Sequence, residues 1–231
     1  MGLRSSHPFT EEYAVIKTDM QLKQDIEEEL RWDPKLNAAQ IGVSVDKGTV
    51  SLSGAVDTYA AKWAAEAATK RVAGVRTVAQ DLTVKILAEH KHTDPEIAAA
   101  VESAFKWNVF VPKAVTAKVS GGSVTLEGPV TWNFQREAAE TAIRHLSGVV
   151  TVFNFITIKP EVSAGQVKEK VQAALLRQAT SDASSVHVDT SGGKVTLTGQ
   201  VASWRTMDDA EKAAWAVPGV NEVVDKLTIS P

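Results

Sequence analysis

Two hydrophobic rhythms alternate along this chain, and the alternation occurs three times. Val50/Leu52, Val124/Leu126 and Val195/Leu197 follow the two-residue period of a half-buried strand. Each pair lies in a recurring run: Gly48-Thr-Val-Ser-Leu-Ser-Gly54-Ala-Val56, Gly122-Ser-Val-Thr-Leu-Glu-Gly128-Pro-Val130 and Gly193-Lys-Val-Thr-Leu-Thr-Gly199-Gln-Val201. A helical stripe precedes each run, at Leu22/Ile26/Leu30, Ile97/Val101/Phe105 and Val167/Val171/Leu175. Apolar positions four apart share one face of a helix, so this stripe is predicted to face a sheet.

Turn chemistry supplies the rest of each unit. Capping boxes are predicted to open the first helices at Thr18/Gln21, Thr93/Glu96 and Ser163/Gln166. A first strand follows, apolar at Ile41/Val43/Val45, Val115/Ala117/Val119 and Val186/Val188/Thr190. Turns at Asp46-Lys47-Gly48, Ser120-Gly121-Gly122 and Ser191-Gly192-Gly193 provide positive φ and predict an antiparallel hairpin with the glycine-bounded strand. Alanine-rich second helices are expected from about Thr58 to Ala73, Trp132 to Ser147 and Ser203 to Pro218, ended by Gly74, Gly148 and Gly219 as left-handed C′ residues. Third strands begin at Val75-x-x-Val78, Val149-x-x-Val152 and Val220-x-x-Val223. A strand, helix, strand crossover makes strands two and three parallel. The fold class is therefore α+β: three tandem α-β-β-α-β modules, each with two helices on one face of a three-stranded mixed sheet.

Equivalent glycines recur at 48, 122 and 193, and again at 74, 148 and 219, which sets the boundaries. Residues 1–17 are a polar lead-in, partly helical near Tyr13-Ala-Val-Ile16; the modules span 18–88, 93–160 and 163–230. Units this small bury thin cores, so the three are expected to lean on one another. Charge is balanced in every unit and the net charge is −3, which argues against nucleic acid as a partner. With no cysteine, disulfides, thiolate catalysis and Cys-ligated zinc are excluded. No apolar run approaches the roughly 18 residues of a membrane span. The opening residues lack the apolar core of a secretory leader, so a cytoplasmic location is expected for the chain as it stands, or a periplasmic one if a leader has been removed.

The G-x-V-x-L-x-G strand, the alanine-rich helix and the Gly-Val-x-x-Val return fall in register in all three copies: Gly48/Val50/Leu52/Gly54 with Gly74-Val75/Val78, and their counterparts. This pattern resembles the BON domain family (bacterial OsmY and nodulation) over about residues 18–230. Tandem copies without an enzymatic domain are similar to osmotically inducible periplasmic proteins of that family. The resemblance implies a module of stress and envelope proteins that binds phospholipid or attaches to membranes. It brings no catalytic residues and no cofactor.

Several polar constellations carry site-like chemistry. Ser185, His187 and Asp189 share a strand face, but neighbours on such a face stand roughly 7 Å apart, too far for a triad's hydrogen-bonded chain. A solvated face is the simpler reading. His90 and His92 with Asp94 and Glu96 offer metal-type donors in one linker only, so no metal site is assigned. His145 stands late on a helix, where the C-terminal dipole or simple exposure suffices. Glu66, Glu140 and Glu211 recur in all copies; Lys70 and Arg144 four residues on make ordinary ion pairs, whereas Trp215 in the third copy does not fit that account.

The candidates for lipid or partner binding are aromatic and cationic. Tyr59, Trp132, Phe134 and Trp204 open the second helices, interleaved with Lys62, Arg136 and Arg205. Helix N-termini receive anions, and Trp or Tyr beside cations suits a headgroup zone; ordinary core packing competes for some of these rings. Trp107-Asn-Val-Phe-Val-Pro112 adds Trp107 and Phe110 in an apolar loop where the first module has Trp32-Asp-Pro-Lys-Leu36. The expected function is non-enzymatic attachment to phospholipid membranes or envelope proteins. The alternative is a soluble chaperone-like polypeptide binder or a small-ion sensor.

Overall fold

In a computed structural model, residues 17–159, 167–177 and 185–229 are described. The first module comprises α1 (Asp19–Trp32), β1 (Ile41–Asp46), β2 (Thr49–Val56), α2 (Tyr59–Arg71) and β3 (Thr77–Val84). The second comprises α3 (Asp94–Trp107), β4 (Thr116–Ser120), β5 (Ser123–Val130), α4 (Asn133–Arg144) and β6 (Thr151–Ile158). The third comprises α5 (Val167–Arg177), β7 (Val186–Ser191), β8 (Lys194–Val201), α6 (Trp204–Trp215) and β9 (Glu222–Ile229). Each sheet is ordered first, second, third strand, with an antiparallel hairpin and a parallel crossover pair. Three separate cores result, bounded by the same positions: Val50/Leu52, Val124/Leu126 and Val195/Leu197 are fully buried beneath the helical stripes.

Gly54, Gly128 and Gly199 are required by close approach. Each has φ between +116° and +131°, and a Cβ there would lie 2.1, 2.2 or 2.0 Å from the carbonyl oxygen of Gln40, Ala114 or Ser185. No side chain fits against a backbone atom at that distance, so the recurring second glycine lets the hairpin close. Gly74, Gly148 and Gly219 act differently from the expectation. The second helices end at Arg71, Arg144 and Trp215, before these glycines. Hydrogen bonds from Val75 N–H to Val72 O (3.3 Å), Val149 N–H to Leu146 O (3.4 Å) and Val220 N–H to Val217 O (3.3 Å) close β-turns with glycine in third place. That is the position where a type II turn needs positive φ. The glycine belongs to the turn into the third strand and is not the helix C′ residue.

The second helices begin one residue after Thr58, Trp132 and Ser203, which serve as N-caps. Gln21 reaches back to the Thr18 N–H at 3.0 Å, and the Glu96 carboxylate accepts from the Thr93 N–H and hydroxyl, both at 2.8 Å. The Ser163/Gln166 cap and the 1–16 lead-in lie outside the described residues. One recurring device has no counterpart among the capping and turn signals of the sequence. Asp19 accepts from the N–H groups of Lys47 (2.8 Å) and Gly48 (3.2 Å), and Asp94 from Gly121 (2.8 Å) and Gly122 (2.9 Å), so the first helix clips the hairpin turn. Those backbone donors hold the Asp94 carboxyl below its ordinary pKa, and the Thr93 N–H does the same for Glu96.

Candidate functional site

The aromatic residues grouped by the sequence separate into two sets. The first lies between modules, where α2, α4 and α6 meet head to tail. Arg144, ending α4, stacks over Trp63 of α2 with its guanidinium carbon 3.9 Å from the ring centre. Trp215, ending α6, takes Arg136 of α4 at 5.1 Å, and Lys70 of α2 lies 4.6 Å over Trp204, the first residue of α6. The last turn of each helix thus meets the first half of another, and the third contact returns to the first module. Head-to-tail contacts that return in this way close a ring. Tyr59 packs on the second module's core, while Trp204 packs on the first as well as its own. The Trp204 indole N–H also donates to Val75 O at 3.0 Å.

The recurring glutamates have a common task in this ring. Glu66 pairs with Lys70 at 2.7 Å and Glu140 with Arg144 at 3.5 Å, while Glu211 accepts from the Trp215 indole N–H at 3.2 Å. Each acid steadies the residue one turn later that stacks on the next module. The indole N–H replaces the cation in the third copy, which resolves the misfit of Trp215 with a pure ion-pair account. Burial raises the Tyr59 phenol above its usual pKa, and the nearby Glu140 adds to the rise.

The second set forms an exposed corner of the middle module. Trp107, Val109 and Phe110 are 82%, 89% and 58% exposed, and Phe110 meets the half-exposed ring of Phe134 edge-on, with centroids 5.8 Å apart. The loop is held beneath: Asn108 accepts from the Phe110 N–H through its side chain (3.0 Å) and from the Val111 N–H through its carbonyl (3.1 Å), while Val111 packs on the core. Lys106 and Lys113 flank it, both exposed.

The BON domain family model matches residues 18–86, 93–160 and 163–231. The chain belongs to the BON domain family. No curated protein matches the sequence. Solved structures that match include two of CdsD, a structural protein of the type III secretion system of Chlamydia trachomatis, one of them its C-terminal domain. They are 16% and 15% identical, cover 90% and 93% of this chain and 91% and 100% of theirs, and both have a TM-score of 0.26.

The remaining sequence candidates fall to structural tasks within the BON copies. Trp132 is half-buried as an N-cap, and Gln135 accepts from its N–H at 3.0 Å. Lys62 is half-buried and its carbonyl takes the Gln80 amide, whereas Arg205 is exposed. Asp94 and Glu96 are engaged with backbone N–H groups as described; His92 lies 3.9 Å from Glu96 and His90 3.8 Å from Glu89. His187 and Asp189 face outward on β7, and the Ser185 hydroxyl donates to Gln200 O at 2.7 Å. His145 caps the end of α4. Of the ring partners, Trp215 entered the sequence reading only as a misfit in the glutamate pairs and Trp63 not at all, although Trp63 sits in an alanine-rich helix off its buried positions Ala61, Ala65 and Ala68. Phe153 and Phe155 were missed too. They stack at 6.5 Å on the exposed side of β6, where the corresponding residues of BON copies one and three are Ala79/Asp81 and Val224/Lys226.

Proposed function

We propose that this chain is a non-enzymatic binding protein that attaches to phospholipid surfaces through the corner of its middle BON module. The observation that carries this reading is the outward display of Trp107, Val109 and Phe110 against Phe134, between Lys106 and Lys113. Large apolar side chains on a braced loop cost little ordering when they enter the headgroup zone. Flanking lysines keep their charge at the interface while their stems follow the apolar surface. The stress and envelope setting, on the periplasmic side if a leader is removed, comes from the family resemblance and is part of the same proposal.

Co-sedimentation with phosphatidylglycerol–phosphatidylcholine vesicles tests it. Wild type should pellet, and the double variant Trp107→Ala/Phe110→Ala should lose at least about tenfold in partitioning, since burial of each ring is worth roughly 2 kcal/mol. Equal pelleting of the two proteins would overturn this assignment of the site. Absence of pelleting together with protection of an unfolded polypeptide from aggregation would replace it with a chaperone-like reading.

A further inference from the structure

We infer that the contact of module 3 with module 1 is a releasable latch whose opening bares a second aromatic and cationic surface around Trp204. The masking half of this inference rests on the membrane reading above. The three joints of the ring differ in how they are held. Modules 1 and 2 are consecutive, and the chain between them is pinned where the Ser147 hydroxyl donates to His90 O at 3.3 Å. Modules 2 and 3 are consecutive as well. Modules 1 and 3 have no connector of their own, so theirs is the joint that can part widely without stretching a tether.

The residues at that joint suit a reversible contact. Trp204 reaches the first module as a wedge, with its ring against that core, its N–H on Val75 O at 3.0 Å and Lys70 over its face at 4.6 Å. Lys70 is held in turn by Glu66 at 2.7 Å. The buried residues of the first core all belong to module 1 and those of the third all to module 3, while Trp204 is only partly buried against each. Release would therefore leave two folded modules and expose an indole, a lysine and an adjoining apolar edge. That is the same chemistry as the corner displayed permanently by module 2.

The native chain has no cysteine, so Asp81→Cys on β3 and Lys226→Cys on β9, both exposed positions, can carry a donor and an acceptor dye without competing thiols. The wild-type pair should show one high-transfer population. Trp204→Ala should shift it to lower, broader transfer, and Lys70→Ala, which leaves both cores intact, should shift it part of the way; circular dichroism confirms that the modules remain folded. Unchanged transfer in both variants would overturn the latch. Both variants remove part of the surface in question, so vesicle binding is read on Glu66→Gln, which frees Lys70 from its partner and keeps Trp204 and Lys70. It should lower transfer too and, because apparent affinity scales with the fraction of binding-competent molecules, bind phosphatidylglycerol–phosphatidylcholine vesicles at least about threefold more tightly. Lower transfer with unchanged vesicle binding would overturn the masking. If wild type and opened variants both fail to bind, the membrane reading falls, and the dye-transfer result alone decides the latch.

Discussion

Tyr59, Asn133 and Trp204 occupy one position, the first residue of the second helix, yet their surroundings divide the molecule. In modules 1 and 3 the residue is aromatic and packs on a neighbouring module. In module 2 it is Asn133, buried, with its amide donating to Glu137 at 2.7 Å and its Oδ1 without a hydrogen-bond partner. The aromatic residues of that copy stand one place to either side, Trp132 as the N-cap and Phe134 on the helix, and one residue turns a helical side chain by about 100°. That rotation takes the ring out of the joint and into contact with Phe110. A single step of register thus separates an aromatic that holds modules together from one left at the surface.

The largest effect tests the frame that both kinds share. Gly128→Ala would place a Cβ 2.2 Å from Ala114 O at a φ of +125°. A clash with backbone in a strained region should cost more than about 3 kcal/mol, seen as early melting of one module in differential scanning calorimetry. Next comes the joint. Trp204→Ala removes a half-buried ring, its hydrogen bond and its stacked cation, and should cost about 2 kcal/mol by chemical denaturation. If it costs nothing, the joint does not support the modules. In the opposite direction, Asn133→Leu replaces a buried amide having one orphaned oxygen with an apolar group of similar size and should stabilise by about 1 kcal/mol. At the exposed corner, Trp107→Ala/Phe110→Ala should change stability by no more than about 0.5 kcal/mol, despite its loss of vesicle partitioning. A large stability loss there would mean that the corner is packing surface.

The frame was legible because its constraints are local. Alternation at Val50/Leu52, the turn glycines and the stripe Leu22/Ile26/Leu30 each reflect a period or a backbone angle, and three copies repeat the message. The role of Gly74 was misplaced because a glycine three residues past a helix and a glycine at C′ share the need for positive φ; only the Val75 to Val72 hydrogen bond distinguishes them. The two aromatic sets were not separable from sequence. Tyr59 and Phe134 have similar composition around them, and what divides them is which module the helix face meets, a relation between residues far apart in the chain. Trp107 and Phe110 were recognisable because the loop has no counterpart of equal hydrophobicity in the first copy. The clip by Asp19 and Asp94 hid behind the capping signal, and the third copy carries Ala164 at that place, outside the described residues.

The smallest effect probes the same position by pH. Tyr59 ionises with difficulty in the folded protein because its phenol is partly removed from water and stands near Glu140, with Glu66 adding a little and Arg144 opposing. Its folded pKa therefore lies above the unfolded value of about 10. Below that value both states are protonated and the phenol's contribution is fully present. As pH rises past it, the unfolded chain releases the proton first, and stability falls until the folded pKa is reached. Tyr59→Phe keeps the ring against module 2 and removes the proton, so its denaturation midpoint should decline less than wild type between pH 9 and the onset of general alkaline unfolding. Trp204 has no such proton, and the corresponding variant Trp204→Phe should leave the alkaline slope unchanged. If Tyr59→Phe tracks wild type throughout, the phenol is solvated and the joint between modules 1 and 2 is looser than its packing implies.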